Sequence, residues 1–242
     1  MKKQVVLVAR RDDEFSAVLR DNGCEVINLE LIKIEPVENL SELDKKLEQP
    51  DDYDGVFITS RNAAEIFVDR LGGKSFHGNI YVLGERSREV LENAKLNVVF
   101  REDVNTVAEL INSLGTAEFV GKKLRFVRGN RSMRTVPEML GGMAQVDEVE
   151  VYRSVDADID ETRFVNVREK FARGEIDWVC FFSPSAVARF VELFDASDAK
   201  IAVIGKTTGN AVKEAGLNLQ LVSPKATSKD FAENLSVQKP AR

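Results

Sequence analysis

Apolar positions along the chain fall into short runs that alternate with stretches of helical period. Residues 4–9 (QVVLVA) form a continuous apolar run, the pattern of a strand covered on both faces. Over 12–21, Phe15, Val18 and Leu19 share one helical face, and Asn22-Gly23 ends the helix. A second strand over 25–29 makes the opening a βαβ unit, the sign of a parallel sheet. Residues 31–36 (LIKIEP) read as extended and stop at a proline, and 40–47 as a short helix. From there the alternation is regular. Strands are expected at 55–59, 79–83, 97–100, 122–127 and 145–151, with helices at 61–71, 86–94, 104–113 and 133–140. The polar stretch after Tyr152, RSVDADIDE, reads as a linker. A helix over 160–173 then precedes strands at 177–182, 200–204 and 218–222, with helices at 184–194, 207–215 and 227–235, and the tail VQKPAR is expected to fray.

Two of these strand–helix units occur twice. Residues 54–71 (DGVFITSRNAAEIFVDRL) align with 177–194 (DWVCFFSPSAVARFVELF) at a constant displacement of 123 positions, matching Asp54 to Asp177, Ser60 to Ser183, Ala63 to Ala186 and Phe67 to Phe190. Residues 80–97 align with 201–218 at a displacement of 121, matching Gly84 to Gly205 and Leu96-Asn97 to Leu217-Asn218. Two matches in series imply internal duplication. The expected fold class is therefore α/β, with two similar lobes, each a five-stranded parallel sheet flanked by helices. Five strands lie in 37–152; the three after 158 need the two N-terminal strands to make a second set of five. Residues 1–33 with 157–242 are thus expected to form a discontinuous domain, with 37–152 inserted in it. A two-stranded hinge, near 31–36 and 152–156, would join them.

With 242 residues, 43% hydrophobic and 31% charged, the chain has length for one large domain or two of ordinary size and ample material for a core. No apolar run approaches the ~20 residues of a membrane span. The start, MKKQVVLVAR, runs from two lysines straight into a strand, with too short an apolar stretch for a signal peptide. Cys24 and Cys180 indicate neither a disulfide framework nor a zinc site, and a cytoplasmic location is expected. A net charge of −6 argues against a nucleic-acid binder.

In open parallel sheets, ligands bind beyond the carboxyl ends of the strands. Cations stand at those places: Arg10-Arg11, Arg61, Arg86, Arg101, Arg128 with Arg131, and Lys206. Ser60, Ser183 and Ser185 suit helix starts, Pro184 suits a first turn, and Gly84 and Gly205 leave backbone amides open before Ser87 and Thr207-Thr208. Facing lobes with such ends would suit a ligand carrying several carboxylates or phosphates. A serine before a helix is most often only a cap, and a surface arginine only solvated; recurrence in both lobes is what favours function. His77 reads as incidental, Trp178 and Phe181 as core, and Asp54 and Asp177 as turn formers. Tyr152 ends a strand at the expected hinge, where its hydroxyl either faces the inter-lobe space or simply packs. No nucleophile–His–Asp set, Walker A lysine, dinucleotide glycine motif or metal cluster is present in the sequence.

VRGNRSM at 127–133, EVEVYRSV at 148–155, TSRNA at 59–63, FFSPSAVARF at 181–190 and AVIGKTTGNAVKEAG at 202–216, in this order and spacing, resemble the uroporphyrinogen-III synthase family over nearly the whole chain. The resemblance implies two α/β lobes on a two-stranded hinge and an enzyme that closes linear hydroxymethylbilane in the cleft between them. The ring closes with loss of water and inversion of the last pyrrole ring. It implies no metal or organic cofactor, and as partners the tetrapyrrole substrate and a passing contact with the preceding pathway enzyme, without nucleic acid or membrane; a monomer is expected. The family tyrosine falls on Tyr152, the catalytic candidate. Family Ser/Thr positions fall on Ser60, Ser87, Ser183, Ser185, Thr207 and Thr208, and loop arginines on Arg10 and Arg128. Arg61, Asn62, Gly129, Ala186 and Lys206 complete the expected substrate-binding set. Ser87 stands where a threonine is more usual, and Ala9 where a threonine often precedes the arginine. Two other readings fit the same ends: a non-catalytic two-lobe sensor of a polyanionic metabolite, and a sugar-phosphate isomerase or transferase.

Overall fold

The computed structural model describes residues 3–195, 199–225 and 227–238. Strands and helices follow in the order β1 (Val5–Val8), α1 (Glu14–Asp21), β2 (Glu25–Asn28), β3 (Ile32–Pro36), α2 (Ser41–Lys46), β4 (Gly55–Ile58), α3 (Arg61–Leu71), β5 (Asn79–Val82), α4 (Glu85–Asn93), β6 (Val98–Val99) and α5 (Val107–Leu114). Then come β7 (Lys123–Gly129), α6 (Thr135–Leu140), β8 (Gln145–Asp156), α7 (Glu161–Ala172), β9 (Trp178–Phe181), α8 (Pro184–Leu193), β10 (Lys200–Val203), α9 (Lys206–Glu214), β11 (Leu219–Val222) and α10 (Ser228–Ser236). Two 3-10 turns, Pro50–Asp52 and Thr116–Phe119, had no periodic signal in the sequence. Of the tail expected to fray, residues 239–242 lie outside the described residues.

Two compact units divide the chain: residues 1–33 with 155–242, and residues 34–154. The first holds a sheet of order β11-β10-β9-β1-β2, parallel throughout. The second holds β3-β8-β7-β4-β5-β6, in which β8 through β6 are parallel. Read from β6, the second sheet runs β6-β5-β4-β7-β8, the order of the first with β4 for β9 and β5 for β10. The repeated sequences thus occupy equivalent places, and the N-terminal pair β1-β2 takes the place of β7-β8.

Two expectations are corrected. The second sheet has six strands rather than five, because β3 joins its edge. Val37 N–H donates to the Val151 carbonyl and Ala157 N–H to that of Leu31, so β3 and β8 run in opposite directions. Residues 153–156, whose polarity reads as linker although 152–156 was also expected as one side of a two-stranded hinge, continue β8. Backbone pairing is indifferent to side-chain polarity at a sheet edge, so a polar run with a partner strand remains a strand.

Each sheet is covered on both faces. One face of the first unit packs around Phe181, Phe190 and Phe194, the other around Phe15, Trp178 and Phe231. In the second unit Phe67 and Tyr152 belong to one face, Phe57, Tyr81 and Phe119 to the other. Burial on both faces explains why β1, β4 and β9 are buried at every residue and read as unbroken apolar runs. Asp54 and Asp177, equivalent in the repeat, have equivalent jobs. Asp177 Oδ2 accepts from Val5 N–H at 2.8 Å and Asp54 Oδ2 from Lys123 N–H at 2.8 Å. Each carboxylate clasps the start of the neighbouring strand, at the end of the sheet opposite the expected ligand.

Candidate functional site

The carboxyl edge of the second unit is ordered by strand register. Ile58 on β4 pairs with Val127 on β7 and Val82 on β5. Ser60 and Gly84 follow two residues on, just past the ends of β4 and β5, and Gly129 ends β7, so in strand order they form a row along this edge. Tyr152 on β8 completes the row opposite Gly129. It does so through a bulge: Arg128 faces Glu150 but Gly129 faces Tyr152, leaving Val151 as an extra residue. Tyr152 is 8% exposed and packs in the same cluster as Val149 and Val151. Its ring lies against Gly129, where an added Cβ would come within 2.5 Å of Cε2 and 2.7 Å of the phenol oxygen.

Gly129 opens a loop tied back on itself and onto β8. Gly129 N–H donates to Ser132 Oγ at 3.2 Å, and Ser132 N–H returns to the Gly129 carbonyl at 3.1 Å. Arg128 donates from Nη1 to the Gly129 carbonyl at 3.0 Å and sits 2.8 Å from Glu148 Oε2. Glu148 Oε1 accepts from Arg134 Nη2 at 2.8 Å, so one carboxylate joins the beginning and end of the loop.

Helix α3 starts beside this row. Ser60 caps it, accepting from Ala63 N–H at 3.2 Å. The N–H groups of Arg61 and Asn62 have no partner within the helix. Arg61 extends outward to Glu65 at 2.7 Å. Gly84, with φ +79, begins α4 in a backbone region that favours glycine. Ser87, in the first turn, is 3% exposed.

The first unit repeats the arrangement. Ser183 caps α8, accepting from Ala186 N–H at 3.3 Å, and its hydroxyl meets that of Ser185 at 3.0 Å. Because Pro184 has no N–H, this helix start offers fewer open amides than α3. Gly205 begins α9; Lys206 and Thr207 are exposed, while Thr208, equivalent to Ser87, is 4% exposed. Arg10 pairs with Asp13 at 2.7 Å, donates to Ser228 Oγ at 3.3 Å and lies 3.4 Å over the Phe182 ring. Several strand-exit cations that look unopposed in the sequence thus have partners: Asp13 for Arg10, Glu65 for Arg61, Glu148 for Arg128. Long-range pairing of this kind has no local signature.

The structure therefore groups Ser60, Arg61, Asn62, Ser87, Arg128, Gly129 and Tyr152 in one unit, and Arg10, Ser183, Ser185, Ala186, Lys206, Thr207 and Thr208 in the other. Sequence reading missed Asn130, Arg134 and Glu148. A signal existed in the two quoted motifs, VRGNRSM and EVEVYRSV, which supply both sides of the loop. It also missed a buried cluster at the other end of β7, where Arg125, 1% exposed, stacks 3.6 Å from the Tyr53 ring and Tyr53 donates to Asp147. Cys180 is fully buried, and burial pushes its thiol well above the usual range. Among the described residues no group of three or more His, Cys, Asp or Glu is placed to hold a metal ion, and no helix is long and apolar enough to cross a membrane.

The family model for uroporphyrinogen-III synthase HemD matches residues 13–233. The chain is 24% identical to a uroporphyrinogen-III synthase from Chlorobaculum parvum, over 96% of this chain and 98% of that one. It is also 24% identical to one from Schizosaccharomyces pombe, over 76% of this chain and 75% of the other. In fold it is similar to a solved mutant uroporphyrinogen III synthase from the extremely thermophilic bacterium Thermus thermophilus, with a TM-score of 0.71 at 14% identity, covering 97% and 99% of the two chains.

Proposed function

The chain belongs to the uroporphyrinogen-III synthase family, cyclising lyases of heme biosynthesis, and we propose that it converts linear hydroxymethylbilane to uroporphyrinogen III with loss of water and inversion of the last pyrrole ring. The observation that carries this reading is the family match over 13–233, nearly the whole chain. Hydroxymethylbilane carries acetate and propionate groups along its length and closes unaided to the uninverted isomer. The catalyst's task is to fold it so that the other end of the last ring meets the first, which is catalysis by positioning. In this reading the substrate lies in the cleft between the units. The starts of α3, α4, α8 and α9, with Arg10, Arg128 and Lys206, receive its carboxylates. Tyr152 gives its phenol proton to the departing hydroxyl; the carbon–oxygen bond breaks and its electron pair leaves with the oxygen as water. No metal or organic cofactor takes part. The enzyme works as a cytoplasmic monomer and meets the preceding pathway enzyme in passing.

The test is to supply hydroxymethylbilane, oxidise the products and separate the isomers by chromatography. The inverted isomer, formed faster than spontaneous closure, is expected. Only the uninverted isomer, at the spontaneous rate, would leave a binding module in place of an enzyme.

A further inference from the structure

Asn130, the residue after Gly129, is bonded at three points to the strand that carries Tyr152. Its N–H donates to the Tyr152 carbonyl at 3.2 Å. Its side-chain Oδ1 accepts from Ser154 N–H at 2.9 Å, and Nδ2 donates to the Ser154 carbonyl at 3.4 Å. These bonds begin where the regular β7–β8 ladder ends, since Gly129↔Tyr152 is its last pair and follows directly on the bulge. A bulge rotates the strand beyond it, so ladder register no longer fixes which way the next side chain points. β3 still pairs with the far edge of β8 here, but on the β7 side the hold passes to Asn130, whose primary amide offers a donor and an acceptor to the carbonyl and N–H of a single residue.

We propose that Asn130 is a positioning residue that holds the end of β8 against the 129–134 loop and so aims the Tyr152 phenol. This rests on the reading of Tyr152 as proton donor. Asn130 is exposed, so its removal opens no cavity in the core.

The experiment is steady-state kinetics with hydroxymethylbilane on the full chain, for wild type, N130A, N130S, Y152F and N130A/Y152F, with thermal melts of each. N130A is expected to lower kcat by about tenfold or more, as misplacement of a reacting group does, with KM nearly unchanged. N130S, which keeps one hydroxyl for Ser154 N–H, recovers part of the loss. In the Y152F background the same change has less than about a twofold effect, because the two residues act as one unit. An N130A loss that is as large in the Y152F background as in wild type, or one confined to KM, overturns the proposal; so does an unchanged kcat. Wild type that forms only the uninverted isomer overturns the functional reading itself, and Y152F with full activity overturns the role of Tyr152, each separately visible from the Asn130 result.

Discussion

Gly129 and Tyr152 face each other across the last rung of the β7–β8 ladder, and the tyrosine ring occupies the place of the side chain that Gly129 lacks. A glycine is required here by close approach of another group, not by a left-handed backbone.

Gly129→Ala must therefore move the ring, since the added Cβ would stand 2.5 Å from Tyr152 Cε2. Forcing atoms into filled space costs about 1–3 kcal/mol. The expected outcome is a folded protein, melting a few degrees lower, whose yield of inverted isomer falls by about a hundredfold, the scale for a misplaced catalytic group. Activity equal to wild type would separate the ring from the reaction.

Tyr152→Phe keeps the packing and removes only the hydroxyl. A proton donor of this kind is worth about a hundredfold or more in rate. Isomer analysis should show kcat reduced to that extent while the melting temperature stays within a few degrees of wild type.

The paired helix starts and strand clasps predict stability effects with little change in activity. Ser60→Ala and Ser183→Ala each remove a cap and should cost about 1 kcal/mol. Asp54→Ala and Asp177→Ala each free a backbone N–H from a charged acceptor and should cost about 1.5–3 kcal/mol. Urea unfolding measures all four. Because substrate binding is spread over many backbone contacts, neither serine variant alone should lose more than a few fold in turnover; a collapse in Ser60→Ala would show that one contact dominates.

The Tyr53–Asp147–Arg125 cluster predicts an alkaline transition. Burial first, and then the hydrogen bond to Asp147, pushes the Tyr53 phenol from 10.0 up to about 12. The folded state thus keeps a proton that the unfolded chain loses. Stability from this group is fully present below pH 10 and is lost as pH rises through about 12. The stability difference between wild type and Tyr53→Phe should shrink across that window, by an amount on the order of 2 kcal/mol. Denaturant melts at intervals between about pH 8 and 12 read it directly; a constant difference would mean that Tyr53 titrates normally.

Much of the fold was legible because its causes are local. The apolar runs of β1, β4 and β9 announced strands covered on both faces, and Ser60 and Ser183 announced the helices they cap. Residues 153–156 look like linker because polarity reports solvent, not hydrogen-bond partners, and β3 escapes the strand count because an edge strand needs apolar character on one face at most. At the site, Ser60, Gly84, Arg128 and Tyr152 were found by their place after strands. Their partners Glu148, Arg134 and Asn130 were not, since each contact joins residues 14 to 24 positions apart.

By itself the sequence determined the alternation of strands and helices, the internal duplication and the family, since periodicity and repeated motifs survive without knowledge of contacts. Only the tertiary structure decided where Tyr152 points. The alternation Glu148, Val149, Glu150, Val151, Tyr152 would set the tyrosine on the face of the two glutamates. The bulge at Val151 turns it instead onto the face of Val149, over Gly129. A one-residue slip in register reverses every side chain beyond it, and such a slip is fixed by the partner strand.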